Sequence, residues 1–133
     1  MILIKTMLGE SRISGIGLFC KTPIKKDVKV WQRNELTGIQ WSKEEYAKMK
    51  ASLPETAFDN IGRFVYLNEG TYCLDLDDSR FMNHSENPSM GWNDKDKYCY
   101  ALRDLSAGTE LTLNYRDFCD EEDLINCNYV ETE

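Results

Sequence analysis

The sequence predicts a mainly β fold with a few short helices, and three observations carry that prediction. Short β-like runs, separated by turns rich in Gly, Asn and Ser, dominate the chain. One segment has a full helix signature: the box Ser42-x-x-Glu45, with Tyr46, Met49 and Leu53 following at helical spacing. At 133 residues and 41% hydrophobic content the chain is a single domain, residues 1–133, with one core.

The elements follow in order. Residues 1–7 form the first β run. A Ser14-Gly15-Ile16-Gly17 turn leads into a second at 17–20, with glycine supplying the positive φ that other residues avoid. Residues 29–31 form a third. The helix opens at Ser42, whose side chain accepts from the Glu45 amide while the glutamate reaches back, and Pro54 stops it. Residues 64–67 and 71–74 flank Asn68-Glu69-Gly70 and read as a hairpin. Residues 98–103 and 111–113 flank Ser106-Ala107-Gly108 and read as a second such pair. A last short helix is expected over 119–126, with Asp120, Glu121 and Glu122 near its start, where the helix dipole favours anions.

Composition narrows the function. No apolar run approaches the roughly 18 residues that cross a bilayer, so no membrane role is expected. Residues 1–5 lack the basic region and apolar length of a signal peptide. An intracellular protein is expected, cytoplasmic or nuclear, in a host nucleus if the source is a virus or an intracellular bacterium. A net charge of −7 disfavours direct nucleic-acid binding and suits basic partners such as lysine-rich tails; it equally suits plain solubility. The five cysteines are odd in number and contain no C-x-x-C pair. With one histidine in the chain, no zinc cluster is expected, and the cysteines read as reduced core residues.

Three motifs carry the candidate chemistry: Ser14-Gly15-Ile16-Gly17-Leu18-Phe19, Arg80-Phe81-Met82-Asn83-His84-Ser85, and Gly108-Thr109-Glu110-Leu111-Thr112-Leu113-Asn114-Tyr115. Each has a plain structural reading as well. The G-x-G can be an ordinary turn or a place where backbone approaches a ligand. His84 can be a satisfied structural residue or a site residue. Tyr115 can pack at a core edge with its hydroxyl wet. No G-x-S-x-G elbow supports a serine hydrolase.

Taken together and in this order, the three motifs resemble the SET-domain family of protein lysine methyltransferases. The resemblance implies small curled sheets and a C-terminal segment threaded through a loop into a knot-like core. It implies S-adenosylmethionine as cofactor, with the Gly15, Ile16 and Gly17 turn cradling its methionine part. Asn83 then lies at the cofactor's amino-acid end and His84 at its adenine end, partly through backbone groups. Tyr115 becomes the catalytic tyrosine. Phe118 is a candidate to stack on adenine or, equally, a core residue. Tyr72, in a strand similar to the family's Tyr-x-Ile-Asp, is carried over to the substrate channel. So are Leu113, two before the tyrosine, and Trp92, nine after the asparagine. Gly91, Asn93 and Asp94 favour a turn around Trp92 and hence an exposed loop residue.

The chain departs from the family in two places. Glu86 and Ser89 replace the cysteine and final asparagine of N-H-S-C-x-P-N. Cys119 and Cys127 do not have the spacing of the post-SET zinc cluster, so residues 117–129 are expected to close the channel. The implied substrate is a lysine of a histone or other basic protein. A catalytically inactive SET-fold module that binds a peptide is the alternative. Oligomeric state stays open, a homodimer included.

Overall fold

A computed structural model of the chain describes residues 1–125. Their ten strands are short: β1 (Thr6–Glu10), β2 (Ile16–Cys20), β3 (Lys29–Gln32), β4 (Gly38–Ser42), β5 (Tyr66–Asn68), β6 (Thr71–Asp75), β7 (Asn83–His84), β8 (Met90–Asn93), β9 (Tyr98–Ala101) and β10 (Thr112–Leu113). Three helices join them: α1 (Lys43–Ser52), α2 (Glu55–Gly62) and α3 (Glu121–Ile125). The strands form four small sheets: β1-β2, β10-β7, β3-β9-β8 and β4-β6-β5. The fold is mainly β, as expected.

The helix at Ser42 forms as the sequence reads. Glu45 N–H donates to Ser42 Oγ and Ser42 N–H to Glu45 Oε1, both at 3.1 Å. Pro54 ends α1 but also begins α2, which the sequence reading missed. Proline has no N–H to leave unpaired there, so one residue serves as stop and start. The first hairpin also forms, with its turn reduced to Glu69-Gly70, both at positive φ (50° and 76°).

Three expectations change. The first strand runs Thr6–Glu10 and not 1–7, because pairing begins only where β2 reaches, from Thr6↔Cys20 to Glu10↔Ile16. Ile2 instead makes a single bridge to Trp31. Strand β4 was missed, since its exposure pattern does not alternate and β6 supplies the ordering by pairing along its length. Finally, residues 98–103 and 111–113 do not form a hairpin. Strand β9 already has β3 on one edge and β8 on the other, so no edge is left.

Residues 109–115 are instead enclosed between two other parts of the chain. Leu111 N–H donates to Leu18 O at 2.7 Å and Cys20 N–H to Thr109 O at 3.0 Å. On the other side β10 runs parallel to β7, and Ser85 N–H donates to Leu113 O at 3.0 Å. Leu111, Thr112 and Leu113 are all buried; the two leucines enter the core, while Thr112 exchanges hydrogen bonds with Ser89, both at 3.0 Å. This insertion joins the second and third motifs in space. The core beneath it contains Leu18, Val30, Met90, Cys99, Ala101 and Leu111. Cys20, Cys73 and Cys99 are buried free thiols, and Cys119 is buried as well, in line with the core role expected. Cys127, and Asn126 at the expected end of the last helix, lie outside the described residues; α3 itself starts at Glu121, not at residue 119.

Candidate active site

A cavity of about 420 Å³ opens where β2, β7 and β10 converge. Gly15, Ile16, Asn83, His84, Trp92, Leu113, Tyr115 and Phe118 all line it. Residues from three distant parts of the chain meet there because β10 is laid beside β7 and the β1–β2 turn folds over both.

Asn83 holds the turn. Its Nδ2 lies 3.1 Å from Ser11 Oγ and from Ser14 O, and 3.4 Å from Ile16 O and from Glu110 Oε1. The amide hydrogens are committed to the protein, which leaves Oδ1 to act as an acceptor. Gly15, at φ 48°, needs glycine for its backbone angle.

His84 is 2% exposed, and both ring nitrogens are engaged. Nδ1 accepts the Tyr115 N–H at 3.1 Å, so the proton sits on Nε2, which meets Glu86 Oε1 at 3.2 Å. Glu86 in turn accepts from Arg116, whose guanidinium is the main cause holding its carboxyl below the usual range. Tyr115 donates its hydroxyl to Met82 O at 2.5 Å. The His84 ring and the Tyr115 hydroxyl thus add to the β7–β10 pairing and the Asn83–Glu110 contact in tying the two motifs together.

Two candidates lie off the cavity wall. Gly17 is not at the cavity: a Cβ there would collide with the Glu110 carboxylate, so its missing side chain admits Glu110. Tyr72 faces the other way. Side chains alternate along a strand, so Tyr72 and Asp75, three apart on β6, point to opposite faces. Asp75 reaches the cavity, while Tyr72 stacks on Tyr46 of α1 with ring centroids 3.9 Å apart. Trp92 also corrects its sequence reading. It lies in β8, not an exposed loop, with its ring 5.9 Å from Trp31 and 5.8 Å from Phe118. Phe118 completes an aromatic wall, edge-on to Tyr66 at 5.3 Å and to Tyr115 at 5.5 Å.

The SET domain family model matches residues 15–116, most of the chain. The chain belongs to the SET-domain family. Solved structures agree on the fold of this SET domain. A Plasmodium falciparum protein assigned as a histone methyltransferase is 20% identical, with a TM-score of 0.55 over 86% of this chain and 95% of that one. Polycomb Repressive Complex 2 of Chaetomium thermophilum, in an autoinhibited conformation bound to S-adenosylmethionine, gives 23% identity and a TM-score of 0.61. That match covers 92% of this chain and 17% of that one. The same complex with H3K27me3 and H3K27M gives 22% identity and a TM-score of 0.60, covering 84% of this chain and 14% of that one. No curated protein matches the sequence.

The SET domain's cavity has members that motif reading did not supply. Trp31 and Asp75 line it, one from β3 and one from β6. Trp31 Nε1 is buried without a hydrogen-bond partner among the described residues. Burial pushes the Asp75 carboxyl up to about 6, against the pull of the Met1 ammonium first and then of Ser79 and Arg33. Burial likewise raises the Tyr66 hydroxyl. Trp31 sits in no recognisable short motif, whereas Asp75 is the acidic end of the Tyr72-Cys73-Leu74-Asp75 strand, from which only Tyr72 was taken.

Proposed function

We propose that this SET domain transfers methyl groups from S-adenosylmethionine to the side-chain amine of a lysine in a histone or other basic protein. The observation that carries the reading is one cavity whose wall contains Gly15, Ile16, Asn83 and His84 together with Tyr115, Leu113, Trp92 and Phe118. Family membership and fold support a methyltransferase.

The residues present fit the cofactor. A cavity of about 420 Å³ is within the usual range of small-molecule sites, about 300–1,000 Å³. Asn83 Oδ1 is an acceptor suited to an ammonium group, and the buried, unpaired Trp31 Nε1 is a donor suited to a ligand oxygen or a bound water. When bound, S-adenosylmethionine supplies a methyl group activated by its sulfonium. The Asn83 bonds fix the Ser14–Ile16 backbone that lines this end of the cavity.

The other end suits an amine. Free lysine has a pKa of about 10.4, and only its neutral form is a nucleophile. Apolar and aromatic walls, here Leu113, Trp92 and Phe118, disfavour the charged form by desolvation. Tyr115, catalytic in this reading, gives its proton to Met82 O, so its oxygen is directed to other groups as an acceptor. That oxygen stabilises positive charge that develops near it. Exposed Asp117, Glu121 and Glu122 adjoin Tyr115 and Phe118 in sequence and favour a basic segment over an acidic one.

Calorimetric titration with S-adenosylmethionine tests the site. Binding is expected for the wild type and a weaker Kd for Asn83→Ala with the fold intact. A wild type that does not bind removes the enzyme reading and leaves a peptide-binding module.

A further inference from the structure

The cavity's aromatic wall ends in a residue that has no strand or long helix to hold it. Phe118 follows a single 3-10 turn, Tyr115–Asp117, and precedes the five-residue α3. Its surroundings explain how it is fixed. The β5–β6 turn, Glu69-Gly70, has both residues in the left-handed region, which is unusual for glutamate. Successive amides in such a turn converge on an anion. Asp120 supplies it: Oδ1 accepts from Glu69 N–H and Oδ2 from Gly70 N–H, both at 2.8 Å.

Three further bonds join the same two segments. Asp120 N–H donates to Leu67 O at 2.8 Å. Asp123 Oδ2 accepts from Leu67 N–H at 3.1 Å. Asn68 Nδ2 donates to Phe118 O at 2.5 Å. The backbone on both sides of Cys119 is thus pinned to the hairpin, and the Phe118 ring projects from it against Tyr66, Trp92 and Tyr115.

We infer that Asp120 is a positioning residue of the active site: by gripping the Glu69-Gly70 turn it holds Phe118 in the cavity wall. The inference rests on the reading of the cavity as the cofactor and substrate site, but the grip itself can be tested without it. The Asp120 grip is the strongest of these joins because its carboxylate takes two amides at 2.8 Å, whereas Asp123 takes one at 3.1 Å and the other two bonds are uncharged. It acts on the wall from outside, since Asp120 does not line the cavity.

A double-mutant cycle with Asp120→Ala and Phe118→Ala provides the test. If Asp120 acts through Phe118, each single variant raises the S-adenosylmethionine Kd about tenfold, a change of about 1.4 kcal/mol, and the double variant is no weaker than Phe118→Ala. Additive losses overturn the inference. A second readout needs no cofactor: nuclear Overhauser contacts from the Phe118 ring to Tyr66 and Tyr115, with contacts inside the Leu18 core as the folding control. Those of Phe118 are expected to vanish in Asp120→Ala and to weaken in Asp120→Asn, whose one carbonyl oxygen can serve one of the two amides. Retained Phe118 contacts in Asp120→Ala refute the grip. Should Asp120→Ala not fold, Asp120→Asn decides, and unchanged Phe118 contacts in it likewise refute the grip. A wild type that fails to bind S-adenosylmethionine defeats the proposed function, while the ring contacts still decide the role of Asp120.

Discussion

The Nδ1 atom of His84 accepts the backbone N–H of Tyr115 at 3.1 Å, so the second and third motifs share a partly buried hydrogen bond beside the cavity. His84 is therefore a brace for Tyr115 as well as part of the wall. Replacing it with alanine leaves the Tyr115 amide without this acceptor and opens a void beside the core. We expect His84→Ala to lower stability by about 2–4 kcal/mol. Thermal or urea unfolding checks this, and a loss under about 0.5 kcal/mol, the range of ordinary surface changes, contradicts the brace.

Tyr115→Phe removes one oxygen and leaves Met82 O without its 2.5 Å donor. The stability loss should be only about 1 kcal/mol. Turnover, by contrast, should fall about a hundredfold or more, as when a group that stabilises transition-state charge is deleted. Cofactor affinity should stay near wild type. Single-turnover kinetics beside a binding titration separates the two, and near-normal turnover rules out Tyr115 as the catalytic residue.

Asp75 gives a pH signature. Its ordinary value of 3.8 rises to about 6 on folding, because burial penalises the charged form. The folded state then holds the proton more tightly than the unfolded chain. Stability falls as pH rises from about 4 to about 6 and stays lower above that, by at most about 3 kcal/mol. Asp75→Asn lacks this penalty, so its stability relative to wild type should increase between pH 4 and pH 7. Melting curves across that range test it; a variant that loses ground as pH rises has the opposite sign.

Product multiplicity follows from Leu113 and Trp92, both on the cavity wall. Leu113 has no hydroxyl to hold a water there, which leaves room for two or three methyl groups. Trp92 also lines the cavity, packed on Trp31 and Phe118, and is the candidate to narrow it. Di- or trimethyl product is expected at exhaustive reaction, read by mass spectrometry for wild type and Trp92→Ala. Monomethyl product alone in the wild type refutes the expectation, and a rise only in the variant makes Trp92 the limit.

What the sequence could reveal depended on how local each signal was. The capping box at Ser42 and the hairpin around Glu69-Gly70 are set by residues a few positions apart; the box forms as read, and the hairpin forms with its first strand shifted to Tyr66–Asn68 and its turn shortened to two residues. The pairing of residues 111–113 was misassigned because their neighbour is chosen by which strand edges remain open, a property of the whole fold. Trp92 misled for a related reason. Gly91 and Asn93 look like turn residues, yet both lie in β8 through pairing with β9, and Gly91 leaves room for the Tyr100 ring, which a Cβ there would meet at 2.6 Å. At the site, the motifs located Asn83, His84 and Tyr115 but not their directions. Gly17 serves Glu110, and Tyr72 serves α1, because one packing contact and one strand alternation turn them away from the cavity.

Methyl transfer to lysine can be read out directly by a labelling experiment. Wild type and Tyr115→Phe are incubated with S-adenosylmethionine carrying a labelled methyl group, together with histones and a cell lysate, and labelled proteins are mapped by mass spectrometry. Label is expected on lysine side chains of basic segments with the wild type, declining as salt screens the acidic surface, and little or none with Tyr115→Phe. Label on a residue other than lysine, or equal labelling by both proteins, would contradict it.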